Sequence, residues 1–168
     1  MPRLHALELV PDDAGQDAVR RDWQRLRDAG LPSQLDHPAP TNTPHVTVVS
    51  APSLPDAAID VAHVRLGGLL PIEARAAGLL LLGGSRVTVA RALDIDDDVV
   101  RRALAVRVQV PDRQHVGWLP HVTLARRVER SLVQQVVDVL GHEDVVLTLT
   151  ELRRWDPEKK FVTTIAQV

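Results

Sequence analysis

The sequence predicts an α+β fold of two pseudo-symmetric lobes, with mostly antiparallel sheets flanked by helices around a central cleft. Three observations carry this expectation. The tetrapeptide Pro-His-Val-Thr occurs twice, at 44–47 and 120–123, and each copy runs on into apolar residues and then a helix-like pattern. Strand-like and helix-like stretches are interleaved without the steady strand-helix-strand rhythm of a parallel sheet. Finally, 168 residues suffice for one well-buried unit, or two small lobes sharing a cleft, and are too few for two ordinary independent domains. Residues 1–168 are therefore expected to form a single domain of two lobes with one His-x-Thr motif in each.

Residues 4 to 10 alternate well enough for a first strand, with Leu4, Ala6 and Glu8 on one side and His5, Leu7 and Leu9 on the other. Asp12 and Asp13 follow Pro11 as N-cap candidates, and Val19, Trp23 and Leu26 recur at helical spacing until Gly30. A loop rich in Pro, Ser, Thr and Asn over 31–43 delivers the chain to the first motif strand. Ser53 to Asp56 reads as a second helix start, with Ala58, Val61, Ala62 and Leu66 facing inward. The period then changes to two, predicting strands at 70–76, 79–82 and 86–91, the last two joined by Gly83-Gly84-Ser85. Asp94, Asp96, Asp97 and Asp98 put negative charge at the start of a helix over 95–108, where the helix dipole favours it. After the second motif, Ser131 and Gln134 have the form of a capping box, and Leu132, Val133, Val136 and Leu140 supply an apolar stripe ending at Gly141. The chain finishes as a hairpin of strands at 145–154 and 161–167.

Composition narrows the function. The 45% apolar and 25% charged content is that of a soluble globular protein, and with 2% aromatics the core must be built from Leu, Val, Ile and Ala. A net charge of -2 supplies no broad basic field for long nucleic acids, so phosphate binding should be local. All cationic side chains except Lys159 and Lys160 are arginines, whose planar fork suits phosphate. The absence of Cys excludes disulfides, thiolate nucleophiles and Cys-ligated zinc. Arg3, His5 and Glu8 interrupt any signal-like opening, and apolar runs such as 79–82 are far short of a membrane span, so a cytoplasmic protein without membrane association is expected.

The two motifs carry the chemistry. On an extended strand His45 and Thr47 share one face while Val46 and Val48 share the other, and His121, Thr123, Val122 and Leu124 repeat the arrangement. If both apolar faces are buried, both His/Thr faces can line one cleft. Each Pro stands at the start of its strand, where a missing N–H costs least. The other histidines (His5, His37, His63, His115, His142) lack a twin and read as surface or satisfied polar residues, with His5 bordering the cleft as the one alternative. Trp118 lies three residues before His121, as a loop anchor or a stacking platform for a base. The glycine pairs lack the residues of a P-loop, and the Asp94–Asp98 cluster lacks a second carboxylate cluster or Ca²⁺-loop spacing.

The two His-x-Thr motifs, 76 positions apart and each on a predicted strand followed by a helix, resemble the signature of the two-histidine (2H) phosphoesterase superfamily. The nearest branch resembles bacterial RNA 2',3'-cyclic phosphodiesterases, often labelled 2'-5' RNA ligases. The resemblance implies a metal-independent, cofactor-free phosphodiesterase acting on RNA with a 2',3'-cyclic phosphate end or a small cyclic nucleotide, with 2'-5' linkages as a further substrate class and no obligate protein partner. His45 and His121 would be the catalytic acid and base, in either order. Imidazole is the side chain that gains or loses a proton close to neutrality, so a neutral and a protonated ring can serve attacking water and departing ribose oxygen. Thr47 and Thr123 would donate to non-bridging phosphate oxygens. Arg126 is the phosphate-binding candidate by family analogy, whereas simple strand alternation favours Arg127. A noncatalytic module binding RNA ends or phosphorylated nucleotides is the alternative on the same fold, and a metal-dependent hydrolase a third.

Overall fold

A computed structural model describes residues 3–168. Seven strands form one antiparallel sheet: β1 (His5–Pro11), β2 (Val46–Ala51), β3 (Ile72–Gly83), β4 (Arg86–Ile95), β5 (His121–Glu129), β6 (Val145–Asp156) and β7 (Phe161–Gln167). Four helices cover it: α1 (Asp13–Asp28), α2 (Asp56–Arg65), α3 (Asp97–Arg107) and α4 (Val133–Leu140). The order is β2-β1-β6-β3-β4-β5, with β7 also paired to β6.

Strand β6 is the spine. Its first half pairs with β3, placing Leu149 opposite Ile72, and its second half pairs with β7. Along its other edge runs β1, from Ala6 opposite Trp155 to Pro11 opposite Leu149. The two halves of the sheet are therefore not the two halves of the chain. One half contains β1, β2, β7 and the end of β6, with the paired helices α2 and α3 packed against β7 and β2 respectively. The other contains β3, β4, β5 and the start of β6, and α1 packs against both α4 and β5 there.

Local signals explain most of the elements. Asp12 caps α1 by accepting from Gly15 N, and Val19, Trp23 and Leu26 form the helix's buried stripe. Asp96 caps α3 by accepting from Asp98 N, so the acidic cluster is a helix start, as its position implies. Two expectations fail. The strands predicted at 70–76 and 79–82 are one strand, β3. Its register against β4 slips between Ala76 and Leu79, where Gly78 takes φ +73, so a bulge interrupts the period-two pattern of a continuous strand. The Ser131/Gln134 capping box does not form, because Ser131 lies inside a 3-10 turn (Arg130–Leu132) and α4 starts at Val133; Gln134 instead donates to Asp138 Oδ1 at 2.8 Å.

The strands at the two ends of the sheet curl toward each other, so that β2 and β5 come within 8 Å Cα to Cα. The segment leading into β5 is tied to β2. Gln114 N donates to Ser50 O at 2.9 Å, and Trp118 Nε1 donates to Thr47 O at 2.9 Å. The buried guanidinium of Arg107 donates to Val48 O at 2.7 Å and to the carbonyls of His115 and Gly117. Burial first, and then the nearby charge of Arg113, lowers the Arg107 pKa from its ordinary value.

Two outcomes test this architecture. Leu152, fully buried on the spine strand, should cost about 2–5 kcal/mol when truncated in Leu152→Ala, measured by urea unfolding. Trp118→Phe puts a smaller aromatic ring in place of the indole and removes its N–H, leaving the Thr47 carbonyl without that donor; a loss of about 1–3 kcal/mol is expected, with faster amide exchange concentrated around β2.

Candidate active site

The two motif segments occupy matching positions. His45 immediately precedes β2 and His121 opens β5, and these are the end strands that face each other. Val46, Val48, Val122 and Leu124 are all buried, whereas His45, Thr47, His121 and Thr123 are each partly exposed. The expected alternation of greasy and polar faces is therefore present in both copies.

The local geometry is duplicated in detail. His45 Nδ1 lies 2.7 Å from Thr43 O, and His121 Nδ1 lies 2.7 Å from Leu119 O. A carbonyl only accepts, so in both rings Nδ1 carries hydrogen and donates, which leaves Nε2 as the ring nitrogen without a backbone partner. The backbone behind each threonine is held in the same manner. Thr47 O accepts from Trp118 Nε1, and Thr123 O accepts from Trp23 Nε1 at 3.0 Å. Both carbonyls belong to end strands with a neighbour on one side only, and the indoles satisfy groups that would otherwise lie open. Trp118 is thus a loop anchor.

The arginine question turns on strand irregularity. Thr123 pairs with Ala90 but Ala125 pairs with Val89, so Leu124 is an extra residue and the alternation flips after it. Ala125 is buried, and the expectation that 121, 123, 125 and 127 share a face fails for this reason. Arg126 returns to the face of Thr123 and is exposed. Arg127 is exposed too, at φ 56, in a second slip of register between the Ala125–Val89 and Val128–Val87 pairs.

Sequence reasoning missed two charged residues beside the first motif. Glu8 on β1 is the register partner of Thr47, and Arg153 on β6 is the register partner of Glu8. Register partners share a face, so a polar row runs from Thr47 through Glu8 to Arg153. Both charged residues are buried; Arg153 Nε donates to Glu8 Oε2 at 2.8 Å, and Glu8 Oε1 lies 3.5 Å from His45 Nε2. The one signal was an acidic residue, Glu8, within a mostly apolar strand, and nothing in the sequence couples it to a position 145 away. His5 precedes Glu8 by three positions, on the opposite face of the strand, and is buried.

A groove of about 750 Å³ lies away from the motifs and is lined in part by Ile72, Arg75, Asp94, Asp96 and Val99. It contains no motif residue. No helix among the described residues is long and apolar enough to cross a membrane.

Comparison with solved structures gives the same fold throughout. Kluyveromyces marxianus Usb1 is 13% identical, with 98% of each chain covered and a TM-score of 0.50. TT0787 of Thermus thermophilus is 15% identical, covering 96% of this chain and 94% of that one, with a TM-score of 0.57. Escherichia coli LigT in apo form is 13% identical, covering 97% and 94%, with a TM-score of 0.53. No curated protein matches by sequence. The family model of the 2'-5' RNA ligase superfamily matches residues 13–160. With that match spanning most of the chain, and the fold agreeing, this protein belongs to the 2'-5' RNA ligase superfamily of 2H phosphoesterases.

Proposed function

We propose that the protein is a metal-independent phosphodiesterase that opens 2',3'-cyclic phosphates on RNA ends or nucleotides, with 2'-5' linkages as a further substrate class. The chain acts as one two-lobed unit with a motif from each lobe. The observation that carries the reading is the duplicated ring geometry: two imidazoles, each held through Nδ1 with Nε2 left for chemistry, on strands that face each other. Superfamily membership supports a phosphoesterase. Relatives on this fold have been solved with nucleotide-type or anionic ligands, LigT with phosphate and with 3'-AMP and Usb1 with uridine monophosphate.

In this reading one neutral imidazole takes a proton from water as its oxygen attacks phosphorus. The other, protonated, delivers a proton to the ribose oxygen as its bond to phosphorus breaks. Thr47 and Thr123 donate hydroxyl hydrogens to the non-bridging oxygens, where charge accumulates in the transition state. Arg126, on the face of Thr123, supplies a cation to the phosphate. The partner is RNA bearing a cyclic end or a small cyclic nucleotide, in a cytoplasmic setting.

Turnover of 2',3'-cyclic nucleotides and of cyclic-ended RNA, with EDTA present, tests the reading. Activity should persist in EDTA; its abolition would favour a metal-dependent hydrolase, and binding without turnover a noncatalytic module. His45→Ala and His121→Ala should each lower kcat by ~10²–10⁴-fold. Thr47→Val and Thr123→Val should each lower it by about 10²-fold, as for loss of one oxyanion donor. Arg126→Ala should mainly raise KM; an unchanged KM would remove Arg126 from the site.

A further inference from the structure

The two histidines share their local sequence and backbone partners. Each follows a proline, each donates from Nδ1 to the carbonyl two residues before it, and each precedes a threonine whose carbonyl accepts from an indole. The neighbouring strand breaks the symmetry. The register partner of Thr47 is Glu8, whereas the register partner of Thr123 is Ala90. A buried carboxylate oxygen consequently lies 3.5 Å from His45 Nε2, and among the described residues no carboxylate lies within ion-pair distance of His121.

We propose that Glu8 is a positioning residue that assigns the proton roles: His45 is the acid that protonates the departing ribose oxygen, and His121 is the base that activates water. This rests on the function proposed above. His45 Nδ1 already spends its hydrogen on the Thr43 carbonyl, so a favourable approach of Nε2 to a carboxylate requires a second hydrogen on the ring. At 3.5 Å the contact is an ion pair more than a hydrogen bond, so the hydrogen on Nε2 is not committed to the carboxylate. Arg153 fixes the carboxylate from behind through Glu8 Oε2. Among the described residues His121 bonds only to its carbonyl partner, so in the neutral ring Nε2 presents a lone pair to water.

The step balances without a co-reactant. Water oxygen attacks phosphorus and its proton passes to His121 Nε2. The bond from phosphorus to the bridging ribose oxygen breaks, and that oxygen takes the proton from His45 Nε2. His121 then releases its proton to solvent, and His45 regains one beside the Glu8 carboxylate.

A leaving group that needs no proton separates the roles. The probes are a 2',3'-cyclic nucleotide and its analogue with sulfur in place of one bridging ribose oxygen, using whichever isomer the wild-type protein cleaves faster at sulfur. His45→Ala should lose at least ~10²-fold on the oxygen substrate and recover most of it on the sulfur substrate, while His121→Ala stays impaired on both. Glu8→Gln, which preserves shape, should fall by about 10-fold with oxygen as leaving group and be unchanged with sulfur. If Glu8→Gln does not fold, the double variant Glu8→Gln/Arg153→Gln removes both buried charges together and should give the same substrate-dependent pattern. Rescue of His121→Ala in place of His45→Ala would overturn the assignment, and so would an equal loss on both substrates in the Glu8 variants. Wild-type protein inert toward both probes would instead sink the function itself.

Discussion

The arrangement depends on a single constraint, that the two end strands of an open sheet must have their outward backbone groups satisfied where they face each other. Strands β2 and β5 each have a neighbour on one side only. Their Thr47 and Thr123 carbonyls would stand open at the cleft. Two indoles, Trp118 and Trp23, meet those carbonyls, and the same bonds hold the segments that bear the histidines. Edge satisfaction and site construction are thus one device. In a chain with 2% aromatics, two of its three tryptophans are committed to it.

The path of the chain reinforces this. Because β1, β6 and β7 from the two ends of the sequence build the half that contains β2, the first motif strand is held by elements from both ends of the chain. Arg107, from the helix preceding the second motif, adds a buried cation that gathers carbonyls from β2 and from the loop before β5. A guanidinium can do this with several donors from one planar group. Movement of one motif relative to the other would break these bonds together, which favours a pre-set cleft.

Apart from Arg107, the buried arginines and carboxylates among the described residues are paired. Arg91 on β4 donates to Asp22 of α1 at 2.8 Å, fastening helix to sheet on the buried side. The Glu8–Arg153 pair lies on the face of Thr47. Such pairs add little net stability compared with a hydrophobic replacement, yet removing one partner alone is severe. Their value here is positional: the first locks α1, which delivers Trp23, and the second places a carboxylate next to one histidine and not the other.

Much was legible in the sequence because its signals were local. The repeated Pro-His-Val-Thr, the caps at Asp12 and Asp96 and the stripe of Val19, Trp23 and Leu26 act within a few residues, where periodicity and backbone chemistry decide the outcome. Bulges escaped detection: the one at Gly78 divided a single strand into two in the sequence, and the extra residue Leu124 turned Arg126 toward the face of Thr123, because register slips depend on what the partner strand offers. By itself the sequence determined the α+β class, the two motifs and the alternation that exposes their polar faces. Only the tertiary structure decided that Glu8, backed by Arg153, stands beside His45 while Ala90 occupies the matching place beside Thr123, since strand pairing alone brings residues so distant in the chain into one row.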